Sequence, residues 1–146
     1  GKDMYSALDV SKHIIQRCNE TGNTISNLKL QKILYFVQAE FLVSTGGACF
    51  PEAIEAWDFG PVVPEVYHRY KVYGSANIPY MGGGKTVKIS SKDQKLMDGI
   101  IDECSGYSAS SLVEITHQQD PWRDAYRPYM GNVITTRSIK KYFEEE

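Results

Sequence analysis

Three cysteines in 146 residues, none of them in a CxxC pair, exclude a disulfide framework and a cysteine-based zinc or redox motif. Cys18, Cys49 and Cys104 are far apart and odd in number, so they read as reduced, buried thiols of a cytoplasmic protein. No run approaches the roughly 20 apolar residues of a membrane-spanning helix, and no early segment has the apolar stretch of a signal peptide. Charge of one sign is also scarce. Sixteen basic and 18 acidic side chains leave a formal net charge of −2, and without a concentrated basic face there is no footprint for a phosphate backbone. Neither a membrane nor a nucleic acid is therefore an expected partner.

Hydrophobic and charged contents of 42% and 23% are those of an ordinary globular chain, which sets aside disorder and coiled coil. A chain of this size buries roughly 70% of its unfolded surface in a single core. One domain over residues 1–146 is expected, and Gly1, Lys2 and Asp3 ahead of the first Met read as an added remnant. The run Glu144, Glu145, Glu146 opposes a helix dipole and predicts a frayed C-terminal end. Aromatic residues are abundant at 12%, ten of them Tyr, and such an excess suits either an irregular core or a protein-binding surface.

The stretch Asn27 to Thr45 organises the chain. Leu30, Ile33, Leu34, Val37 and Phe41 repeat at helical spacing and predict a central core helix. Ser26 or Asn27 serves as its N-cap and Gly46-Gly47 as its C-terminal stop. Lys29, Gln31, Lys32, Gln38 and Glu40 lie off the stripe and read as its solvated face. Ser6 with Asp9 starts a preceding helix through Cys18, and the short break at Thr21-Gly22-Asn23 predicts an antiparallel pair. Residues 54–59 (IEAWDF) alternate and meet Gly60-Pro61, as in a short strand ended by a tight turn. Pro64 then opens a third helix whose aromatic stripe includes Tyr67, Tyr70 and Tyr73. Ser75 to Lys85 read as a loop, and residues 86–89 (TVKI) as a second strand pairing with the first. Ser90, Ser108, Asp120-Pro121 and Thr135 or Thr136 mark four further helix starts. The expected fold is mostly α (α+β): five to seven helices with a small antiparallel sheet.

Candidate chemistry is sparse. Gly84-Lys85-Thr86 resembles the end of a phosphate-binding loop, but Pro79 stands where the first glycine belongs and no helix pattern follows. Glu65-x-x-His68 and Glu114-x-x-His117, with Glu40 and Glu103, are the residue types of a di-iron carboxylate site, which would make the chain a metal-dependent enzyme. Glu65 falls in a first helical turn and His117 near a helix end, so a capping carboxylate and a hydrogen-bonded histidine are the preferred reading. No cofactor and no catalytic residue are expected.

Three blocks taken together, LKLQKILYFVQAEF (28–41), IEAWDFGPVVPEVYHRYKVYG (54–74) and EITHQQDPWRDAY (114–126), resemble the Panacea domain of the SocA-like antitoxins, whose members include phage-associated proteins of the GepA type. The resemblance rests on Leu30, Lys32 and Tyr35, on Trp57, Gly60, Pro61, Val62 and Tyr67, and on Thr116, His117, Pro121 and Trp122. It implies a helical module that binds and neutralises a cognate toxin encoded nearby, in some members as an adaptor delivering it to a protease. These motif residues are also what a small helical core with a strand-to-helix corner requires, and they read as structural first. Partner contact is expected from Tyr67, Arg69, Tyr70 and Tyr73, since Tyr and Arg supply contact area and charge-assisted bonds.

Overall fold

The computed structural model describes residues 4–80 and 88–145, and within them the chain is mostly helical. The helices are Ala7–Glu20 (α1), Asn27–Thr45 (α2), Pro64–Tyr70 (α3), Ser91–Ser105 (α4), Ala109–His117 (α5), Asp120–Ala125 (α6) and Thr136–Glu144 (α7), with a 3-10 turn at Lys71–Tyr73. Strands Ile54–Trp57 (β1), Gly60–Val62 (β2) and Val133–Ile134 (β3) form an antiparallel sheet in the order β2-β1-β3.

Hydroxyl side chains start five of these helices. Ser6, Ser26, Ser90, Ser108 and Thr135 accept from the backbone N–H of Asp9, Lys29, Asp93, Ser111 and Ser138 respectively, each satisfying a donor that the helix leaves orphaned. α3 and α6 begin instead with Pro64 and Pro121 in the first turn, where the missing N–H costs nothing. α6 starts at Asp120, so Gln119 and not Asp120 holds the cap position. At the other end α7 runs through Glu144.

α2 is the hub, packed against α1, α3, α4, α5, α7 and β2. Tyr5 N–H donates to Cys49 O at 2.9 Å and Ala7 N–H to the Glu52 carboxylate at 3.0 Å. The start of α1 thus lies just past the end of α2, and the pair is antiparallel. The apolar stripe of α2 is buried, and Gly46 closes it with φ +81. The reading of its polar residues as a solvated face is overturned, because Gln31, Lys32 and Gln38 are buried as well. Six elements pack around the helix, and these side chains hold irregular backbone against it. Gln31 accepts from Val63 N–H at 2.9 Å, while Gln38 accepts from Cys49 N–H at 2.7 Å and donates to Phe50 O at 2.9 Å. Backbone groups outside regular structure need such partners once they are buried. Cys18, Cys49 and Cys104 are free and buried, as expected.

The sheet is small but not assembled as the pattern suggested. Gly60-Pro61 is not the turn that ends the first strand; it begins β2, and Asp58-Phe59 form the turn. Residues 86 and 87 lie outside the described residues, and Lys88 and Ile89 are not a strand. Ile89 O is taken by Gln94 Nε2 at 2.7 Å, so this segment leads into α4, and Val133–Ile134 pairs with β1 in its place.

Leu34 is fully buried on α2. Truncating it to Ala leaves a cavity in the helix that packs against six other elements, and chemical denaturation should show a loss of roughly 2 to 5 kcal/mol. A midpoint that does not move would remove α2 from the centre of the core.

Candidate functional site

The turn between β1 and β2 is held from below and from one side. Trp122 Nε1 donates to Trp57 O at 2.8 Å, and His117 Nε2 bonds Asp58 O at 2.9 Å. A carbonyl only accepts, so Nε2 carries the proton in this arrangement. Tyr126 hydroxyl donates to the Asp58 carboxylate. The Trp122 ring lies 4.1 Å from His117 and is stacked on Tyr126 at 4.5 Å. One column of rings from α5, α6 and the residue after α6 therefore fixes the backbone of the Asp58-Phe59 turn.

Beneath the turn, Lys32 from α2 is fully buried and donates from Nζ to Pro61 O at 2.8 Å. Burial pushes its amine from the ordinary 10.5 down to about 7, because a charge taken out of water is disfavoured. Gly60 has φ +103, and a Cβ there would fall 2.8 Å from both Lys32 Cε and Thr116 Oγ1. Thr116 donates back to Val113 O at 2.8 Å. Tyr35 is buried with its hydroxyl on Gln119 Oε1 at 2.8 Å, and burial pushes its phenol up. Leu30, Val62 and Pro121 are also buried. Lys32, Trp57, Gly60, Pro61, Thr116, His117 and Trp122 are thus brought together around one hairpin.

In front of the turn opens a cleft of about 690 Å³. Its walls are the first turns of α2, the sheet, α3 and the connection after α6. Trp57 meets Tyr67 edge-on at 5.0 Å and donates from Nε1 to Glu55 Oε1 at 2.9 Å. Asn27 fastens α3 by donating to Tyr67 O at 3.1 Å. The rim is exposed and apolar: Phe59 is 66%, Met130 65% and Tyr129 100% exposed. Tyr129 sits at φ +64, the only non-glycine with positive φ among the described residues. Such a backbone is strained for a bulky side chain and clusters at functional segments.

Among the expected partner-binding residues, Tyr67 lines this cleft and Arg69 is exposed. Tyr70 is corrected: at 9% exposure it belongs to the core, because it shares the inward face of α3 with Val66. Tyr73 is half-buried against that core. Phe59 reads in the sequence as the end of a strand but stands in the turn, and Tyr129 and Met130 carry no signal there, since isolated apolar residues in connections make no periodic pattern.

The di-iron set is not assembled. Glu40 and Glu103 line a second cavity of about 320 Å³ between α2, α4, α5 and α7. His117 instead bonds the β1–β2 turn, and His68 packs against the Trp57 and Tyr67 rings. Glu65 and Glu114 are exposed. Among the described residues no group of three or more His, Cys, Asp or Glu side chains is placed to share a metal. Gly84, Lys85 and Thr86 lie outside the described residues. Among those described, no helix is long and apolar enough to cross a membrane.

Comparison with known proteins gives one consistent signal. The family model described as Antitoxin SocA-like, Panacea domain, matches residues 30–123. That span holds Lys32, the whole hairpin and its supports through Trp122, but stops short of Tyr129 and Met130. Antitoxin SocA of Caulobacter vibrioides (strain NA1000 / CB15N) is 36% identical over 109 residues, which cover 67% of this chain and 58% of that protein. The chain therefore spans well under two thirds of that relative's length. No solved structure matches it significantly. With the match extending over more than half of its residues, the chain belongs to the SocA-like antitoxin family, as a Panacea domain.

Proposed function

We propose that this protein is an antitoxin that neutralises a cognate toxin by binding it, without catalysis of its own, through the cleft and its apolar rim. The observation that carries this reading is the exposure of Phe59, Tyr129 and Met130 around one opening. Large apolar side chains gathered on a surface mark interaction sites, and a rigidly held turn offers them without an ordering cost on binding. The polar groups behind the turn are spent on its backbone, which suits presentation and not turnover. Tyr67 joins the contact from the cleft wall, and Arg69 and Tyr73 are the positions on that side to test next. The toxin is encoded beside this gene in a phage or prophage locus, and in the manner of some family members the complex hands it to a protease.

Coexpression with each neighbouring open reading frame tests the reading: one neighbour should arrest growth alone, be relieved by this chain and copurify with it. If none is toxic and none is retained, the antitoxin reading falls. Given a retained partner, Phe59→Ala should weaken the complex at least tenfold while leaving thermal stability within about 0.5 kcal/mol, since the side chain is mostly in solvent. Affinity that responds to Arg69→Ala and not to Phe59→Ala would move the interface to the outer face of α3.

A further inference from the structure

Resting on that reading, we propose that the cleft receives a basic side chain of the toxin, an arginine or lysine flanked by an apolar residue, on the Glu55 carboxylate beside the packed Trp57 and Tyr67 rings. Glu55 is half-buried and its Oε1 is fixed by the Trp57 indole N–H at 2.9 Å. The loop closes on the same oxygen, for a Cβ at Gly131 would lie 3.0 Å from it. An ionised carboxylate has about four acceptor positions, and among the described residues a single donor side chain meets this one. Asp58 adds a second acidic group to the same cleft, engaged by Tyr126 hydroxyl. Among the described residues no cation stands within ion-pair distance of either carboxylate; Lys71, which also lines the cleft, pairs with neither. Aromatic faces beside a carboxylate favour a guanidinium or ammonium twice over, through cation–π attraction and a charge-assisted hydrogen bond. Phe59 and Met130 on the rim then supply the apolar ground for the neighbouring residue.

The test needs no identified toxin. Capped leucyl-arginine amide, titrated into the full chain and followed by nuclear magnetic resonance, should saturate and move the Trp57 indole N–H signal, and Glu55→Gln should weaken that binding at least tenfold. Gln keeps an acceptor for the Trp57 indole, so the fold is spared. Capped leucyl-glutamate and leucyl-norleucine amides should not saturate over the same range. The inference is overturned if the arginine peptide does not saturate, if Glu55→Gln binds it as well as wild type, or if the acidic or neutral peptide binds as tightly. In a retained complex, Glu55→Gln should likewise weaken the partner at least tenfold. A partner bound equally by wild type and Glu55→Gln sinks this inference and leaves the antitoxin reading standing. Saturation by the arginine peptide with no neighbour retained has the opposite meaning: the cleft's preference stands and the antitoxin reading falls.

Discussion

Raising the pH from 7 to 10.5 should stabilise the wild-type protein relative to a Lys32→Met variant by up to about 5 kcal/mol, from the ordinary lysine value of 10.5 set against about 7 in the folded chain at ~1.4 kcal/mol per pH unit. In the unfolded chain Lys32 holds its proton up to 10.5, whereas the folded chain has shed it above about 7. The unfolded state therefore binds more protons throughout that window, and stability climbs with pH across it. Below about 7 both states are protonated, so the full penalty of a buried ammonium is present and the slope vanishes. The three buried thiols act in the opposite direction, because burial raises them above the ordinary 9.0, Cys104 to about 12. Their contribution is whole below 9.0 and is lost as pH rises beyond it. The absolute curve of either protein consequently bends, and the difference between them isolates the lysine. Denaturant midpoints at pH 6, 8 and 10 suffice. Parallel curves for the two proteins would mean that Lys32 remains charged in the fold, with water or an anion reaching it.

The position of Lys32 also marks the boundary of what the sequence reveals. Helices were legible because their signals are local: a hydroxyl three residues ahead of an N–H at five starts, a proline in the first turn at two, and an apolar stripe on α2. Whether α2 has a wet side was not legible, because the groups that bury Gln31 and Lys32 belong to Val63 and Pro61, 32 and 29 residues away. A lysine and a glutamine off the stripe look like solvent-facing residues until backbone arrives to meet them. The same holds for the third strand. The segment 86–89 has the composition of a strand, whereas Val133–Ile134 is two residues long and is selected only by its pairing with Ile54 and Glu55. At the candidate site, the motif residues identified the hairpin and its supports. They reached the cleft's inner wall at Trp57, Val62 and Tyr67 but not its rim, because Phe59, Tyr129 and Met130 are not among the motif residues.

Gly60→Ala should be among the most damaging single substitutions in the chain, costing roughly 2 to 6 kcal/mol, because two separate penalties coincide. The first is conformational: φ +103 is reached readily by glycine and by almost no other residue. The second is packing. The added Cβ would sit 2.8 Å from Thr116 Oγ1 and from Lys32 Cε, and the lysine stem has nowhere to swing while its Nζ is bonded to Pro61 O and the whole side chain is buried. Gly22→Ala is the control. It shares a positive φ, +77, but has no neighbour within 4 Å of a Cβ, so it should cost only the conformational share, roughly 1 to 2 kcal/mol. The excess of one loss over the other measures how firmly Lys32 and Thr116 clamp the hairpin. Since Gly60 leads directly out of the Asp58-Phe59 turn, whatever fold survives the substitution should also present Phe59 poorly and hold a retained partner more weakly than its stability alone accounts for. Equal losses at the two glycines would show that β2 gives way freely, and the turn would then be no rigid platform for a partner.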